Sequence, residues 1–149
     1  MATLFLVAQI DDGKPHRELN MLGDKIVAFA KEEVRQLFCI RTNNGSALAT
    51  TTSVQASVRS FSFDDGHTKV RVLWDEPCAE NYDALVKLFG AEIFPRHKDA
   101  VAIFVGSRDF CVGFLSHLLP SVQPAEFDWS LGHAAIIDFA PSAVDAKQF

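Results

Sequence analysis

Gly106 and Ser107 stand between the apolar run Val101-Ala-Ile-Phe-Val105 and a segment of helical spacing that stops at Pro120. A glycine and a hydroxyl residue at a strand-to-helix turn suit an anion. The first turn of a helix offers unpaired N–H groups and the positive end of the backbone dipole. Gly106 and Ser107 are therefore the candidate ligand-binding residues, with phosphate as the natural ligand class. The local alternative is that Gly106 permits a tight turn and Ser107 caps the helix. A Gly-rich phosphate-cradling loop with its lysine is missing, and so is the dinucleotide pattern of spaced glycines.

The same stretch holds the residues for nucleophilic chemistry. Ser107 or Cys111 could attack, with His117 or His133 as base and Asp109 or Asp138 to orient that base. Ser107, Asp109, His117 and His133 form the candidate catalytic set, but no Gly-x-Ser-x-Gly elbow fixes their roles. Cys111 falls on the apolar face of its helix, where a thiol keeps its proton and is inert.

Carboxylates gather after two expected strands: Asp11 and Asp12 after the first, Asp75 and Glu76 after a later one. If those strands were parallel neighbours, Asp11, Asp12 and Asp75 could hold a hard cation such as Mg²⁺. Acidic residues also collect at strand ends because turns favour them. His16, His67, His97, His117 and His133 lack a close ligand spacing, so neither a metal nor a cofactor is expected. The basic run Arg96-His97-Lys98 suits a phosphate or an acidic partner, or simply a solvated turn.

The whole chain bounds these options. Its 149 residues suffice for one domain, 1–149, with a sizeable core. A hydrophobic content of 48% against 22% charge argues for a folded globular protein. The formal net charge of −5 makes nucleic acid an unfavourable partner, because phosphate neutralisation needs Lys and Arg. No apolar run reaches bilayer length, so no membrane partner is expected. Cys39, Cys78 and Cys111 are odd in number and widely spaced, which suggests reduced thiols in the cytoplasm.

Elements must then position the candidates. Thr3 to Ile10 reads as a strand closed by Asp11-Asp12-Gly13, and Lys14 to Gly23 as a polar connection. A helix is expected from Asp24 to about Phe38, with a competing strand over Val34 to Arg41. Asn43-Asn44-Gly45 suggests a turn between strands, with Ser46 to Ser57 as a strand of small side chains. Val58 to Phe63 and Lys69 to Trp74 alternate as a hairpin. A helix follows over Ala79 to Phe89 with Gly90 as terminator, and then the Val101 strand and its helix. His133 to Phe139 reads as the last strand and Pro141 to Phe149 as a surface tail. The expected fold is a single α/β or α+β domain. It should have a mixed sheet of about five or six strands and about three helices packed against it.

With no motif that commits the chain to catalysis, the leading expectation is a small acidic binding or regulatory protein acting through a protein partner. The alternative is a compact enzyme or sensor for a phosphorylated small molecule, built on the Gly106-Ser107 turn.

Overall fold

The computed structural model describes residues 2–32, 37–58, 71–73, 76–96, 100–139 and 144–149. Its centre is a pair of parallel strands, β1 (Ala2–Ala8) and β4 (Val101–Gly106), buried along their whole length. Both read as near-continuous apolar runs because both faces of the sheet are covered. β2 (Leu37–Thr42) runs parallel beside β4, and β3 (Arg71–Leu73) parallel beside β2. β5 (Ala135–Phe139) lies antiparallel to β1, and β6 (Val144–Gln148) antiparallel to β5. The order across the six-stranded sheet is β3-β2-β4-β1-β5-β6.

Strand side chains alternate between two cores. Phe5, Val7, Cys39, Ile103 and Val105 meet α1 (Arg17–Glu32) and α2 (Gly45–Val58) on one face. Leu4, Leu6, Ile40, Ala102 and Phe104 meet α3 (Ala79–Lys87) and α4 (Arg108–Leu118) on the other. The expected mixed-sheet α/β domain is the observed one, with helices on both faces.

Several elements differ from the sequence reading. Ser46 to Ser57 is helical, inside α2, because Asn44 ends a strand and starts a helix instead of turning a hairpin. Its Oδ1 accepts the Ala47 N–H at 2.8 Å, which is an N-cap. The small residues of α2 let α1 approach closely: a Cβ on Gly23 of α1 would overlap the Val54 carbonyl oxygen of α2. Burial of Ala47 and Val54 against α1 overrides the weak helix propensity of the Thr and Ser run.

α1 begins at Arg17, right after Pro15 and His16, so most of the supposed connection is helix. It ends at Glu32, and the competing strand near Arg41 is the one that forms, as β2. Most of the expected hairpin, residues 59–70, lies outside the described residues. Its described remnant, Arg71–Leu73, pairs in parallel with β2, and Val58 belongs to α2. Gly90 does not end a helix but lies within a π-helical continuation of α3, Leu88–Ile93. The supposed tail contains β6, so β5 is not the last strand.

Candidate functional site at the carboxyl edge of the sheet

The chain leaves β1 toward α1 on one face and leaves the adjacent β4 toward α4 on the opposite face. Where neighbouring parallel strands send their connections to opposite faces, a crevice opens beyond their carboxyl ends. Ligands of α/β sheets bind in such crevices. Gln9 and Ile10 border it from β1, Gly106 and Ser107 from β4, and Arg41 and Thr42 from β2 on the far side of β4.

Backbone and side-chain bonds fix this edge. The Gln9 N–H donates to the Gly106 carbonyl at 2.7 Å, and the Ile10 N–H donates to Thr50 Oγ1 of α2 at 2.9 Å. A Cβ on Gly106 would stand 2.9 Å from the Phe104 ring and 3.3 Å from Thr42 Cγ2, so this close approach requires glycine. Ser107 caps α4: its Oγ accepts the Phe110 N–H at 3.1 Å. The helical ladder begins with Cys111 N–H donating to the Ser107 carbonyl at 2.9 Å. The N–H groups of Arg108 and Asp109 precede that ladder, at the positive end of the helix dipole.

Two shielded polar atoms lie at the carboxyl ends of the strands on either side of β4. Gln9 Oε1 and Arg41 Nε are both removed from solvent and have no hydrogen-bond partner among the described residues. The rest of each side chain is anchored: Gln9 Nε2 donates to Asp11 Oδ1 at 2.9 Å and Arg41 Nη1 to the Thr42 carbonyl at 3.2 Å. Buried polar atoms are almost always satisfied, by a ligand or ordered water where protein does not serve. A guanidinium and a helix N-terminus both favour an anion, whereas the amide oxygen accepts from a ligand hydroxyl.

The expected nucleophilic set is not assembled. His117 lies near the far end of α4, about 15 Å from Ser107 at the helical rise per residue. Its Nε2 bonds Asp83 Oδ1 of α3 at 2.7 Å. Asp109 is exposed in the first turn of α4. His133 precedes β5 on the crevice edge of the sheet, but its partners are Asp128 Oδ2 at 3.4 Å and Ser130 Oγ at 3.2 Å. Asp138 pairs with Thr3 at the opposite end of β1, so it does not orient His133. Cys111 is buried, its Sγ 3.6 Å from the Val7 carbonyl and 3.8 Å from that of Gly106, so the thiol packs beneath the turn. Hydrogen bonds from the side chain and backbone of Ser130 hold the Asp128 carboxyl below its ordinary range, helped by His133.

Asp11 and Asp12 follow β1, whereas Asp75 lies outside the described residues. β2 and β4 stand between β3 and β1, a separation of about 14 Å at ordinary strand spacing. The strands are parallel but not neighbours. Among the described residues no group of three or more His, Cys, Asp or Glu side chains could hold a metal ion. Asp12 is instead a turn residue. The Lys14 backbone N–H and His16 hold its carboxyl below the usual carboxylate range, with His16 Nε2 at 2.8 Å.

Sequence reasoning missed Gln9, Arg41, Thr50 and the pairing of His16 with Asp12. Arg41 at the end of a possible strand was the one available signal, because polar residues directly after an apolar strand line the carboxyl edge.

No protein-family model matches this chain, and no curated protein matches it in sequence. Solved structures do match along its length. A protein described as phosphohistidine phosphatase SixA from Agrobacterium tumefaciens superimposes with a TM-score of 0.56 at 13% identity, covering 99% of this chain and 95% of that one. Phosphoglycerate mutase from Plasmodium falciparum gives 0.61 at 11% identity, covering 99% and 89%. A mycobacterial hydrolase gives 0.52 at 11% identity, covering 99% and 88%. At these identities the likeness is one of fold. It corrects the leading functional expectation, a regulatory protein acting through a macromolecular partner, which rested on missing motifs. Proteins named as a phosphatase, a mutase and a hydrolase carry this architecture.

Proposed function

We propose that this chain is a phosphatase- or mutase-type protein that takes a phosphorylated small molecule in the β1–β4 crevice. The observation that carries the reading is that the capped α4 N-terminus and the shielded Gln9 Oε1 and Arg41 Nε all belong to the carboxyl edge of three neighbouring strands. The names of the structural neighbours support the same substrate class.

Each part has a role on physical grounds. The Arg108 and Asp109 N–H groups donate to phosphoryl oxygens in the direction of the helix dipole. Arg41 supplies the positive charge that phosphoryl oxygens require. Gln9 Oε1 is an acceptor, because Asp11 orients the amide, so it takes a hydroxyl of the ligand or a protonated phosphoryl oxygen. Ser107 holds the helix start in place and does not attack. Two imidazoles belong to the same edge, His16 on Asp12 and His133 on Asp128, and proton transfer in a hydrolytic or transfer step falls to them. Among the described residues no helix is long and apolar enough to cross a membrane. The cysteine pattern supports a reducing, cytoplasmic setting.

The test uses Ser107→Asp, which caps a helix as well as serine but places a negative charge at the proposed phosphoryl position. Wild-type protein should bind inorganic phosphate and members of a panel of phosphorylated metabolites by calorimetry. A parallel assay of phosphate release reads turnover. The variant should keep its melting temperature and lose at least tenfold in affinity. Unchanged phosphate affinity in a stably folded variant would remove the α4 N-terminus from the site. Failure of wild-type protein to bind any panel member would overturn the reading.

A further inference from the structure

We propose that two copies of this chain pair through β6 into an antiparallel dimer with one continuous sheet. Among the described residues β6 is the outermost strand on its side of the sheet, and its neighbour β5 fills only one of its two edges. In an antiparallel ladder successive residues direct their N–H groups to alternate edges. The Phe149 N–H bonds the Ala134 carbonyl, toward β5, so the Lys147 and Asp145 N–H groups also point inward. Those of Val144, Ala146 and Gln148 point outward. The Ala146 N–H accordingly meets a side chain, Asp145 Oδ1, at 2.9 Å, and not β5.

A two-fold axis at Ala146 makes this edge complementary to itself. Ala146 then exchanges backbone bonds with its own counterpart, and Val144 does so with Gln148 of the second copy. Asp145 falls opposite Lys147 of the second copy, and Lys147 opposite Asp145. This is the non-hydrogen-bonded class of pair, with Cα atoms about 4.5 Å apart and side chains closest. One ion pair thus forms on each side of the axis. A shift of two residues would place Lys147 against Lys147 or Asp145 against Asp145, so charge selects the register.

The single chain carries an imbalance that this pairing relieves. Asp138 of β5 stands directly opposite Asp145 of β6, a like-charge cross-strand pair that is unfavourable by itself. In the dimer, Lys147 of the second copy approaches that pair of carboxylates. On the opposite face of β6, Val144 and Ala146 are only partly buried against the α3–α4 core, and their counterparts would extend that apolar surface. Exposed charges usually protect edge strands from pairing. Here the two signs alternate so that the protection fails against one partner, the same strand reversed.

The inference is independent of the phosphoryl site. Light scattering after size exclusion, from low micromolar to millimolar protein, should show a monomer–dimer equilibrium for the full chain. Lys147→Asp should yield monomer, and adding Asp145→Lys to it should restore the dimer, because the swap returns opposite charges to both pairs. Ala146→Pro removes an outward N–H that β5 does not use, so the variant should fold and remain monomeric. Thermal melts confirm that each variant is folded. A wild-type monomer at every concentration would overturn the proposal. So would a dimer that persists in Ala146→Pro, or a charge swap that stays monomeric while folded.

Discussion

At the scale of single residues, the crevice rests on a few local bonds whose loss has distinct signatures. Replacing Ser107 by alanine removes the acceptor of the Phe110 N–H and should lower stability by about 0.5–2 kcal/mol. Chemical denaturation measures this, and a loss near zero would mean that the cap is redundant. Cys111 is inaccessible beneath Gly106, whereas Cys78, at the start of α3, is half-buried. Native protein should therefore react with a thiol reagent first at Cys78 and slowly at Cys111, with all thiols reacting on unfolding. Fast native labelling of Cys111 would contradict the packing. Gly106 and Ser107 were legible in the sequence because strand, turn and cap are neighbours in the chain. Gln9, Arg41 and Thr50 were not, because their significance depends on elements brought together from far along it. The bond from Ile10 to Thr50 spans two connections and a strand order that no local pattern encodes.

At the scale of elements, the helices divide by how clearly their faces are marked. α4 was read correctly because Phe110, Cys111, Phe114 and Leu115 recur on one side and are all fully buried. Phe114→Ala should cost about 3–5 kcal/mol in denaturation experiments, since it opens a cavity beside Tyr82 and the sheet. A small loss would mean that the neighbours collapse into the space. α2 was misread because Ala, Thr and Ser give no contrast between faces; what makes it a helix is α1 against it. Gly23 is the point of that contact, so Gly23→Ala should destabilise despite alanine's better helix propensity. The overlap with the Val54 carbonyl should cost on the order of 1–3 kcal/mol. A stabilised variant would show that the two helices can separate cheaply. The short, charged sequence of β6 resembles a solvated end; pairing with β5 makes it a strand.

At the scale of the whole molecule, the α/β class followed from alternating apolar strands and amphipathic helices, but the strand order did not. Nothing in the sequence of β1 states that β4, not β2, lies beside it. Yet that insertion separates the Asp11–Asp12 turn from the end of β3 and sets Gly106 against Gln9. It keeps β1 and β3 from being neighbours and places the strand-order reversal between β1 and β4. The central claim is that a phosphoryl group binds at this strand edge, against the first turn of α4. The most direct measurement is a titration of isotope-labelled protein with inorganic phosphate, following backbone amide resonances. The Arg108 and Asp109 amides should shift progressively and saturate, with smaller shifts at Gln9 and Thr42, while the His117–Asp83 end of α4 stays unmoved. Amides of the α4 first turn that remain still at saturating phosphate, or shifts confined to other surfaces, would contradict the account.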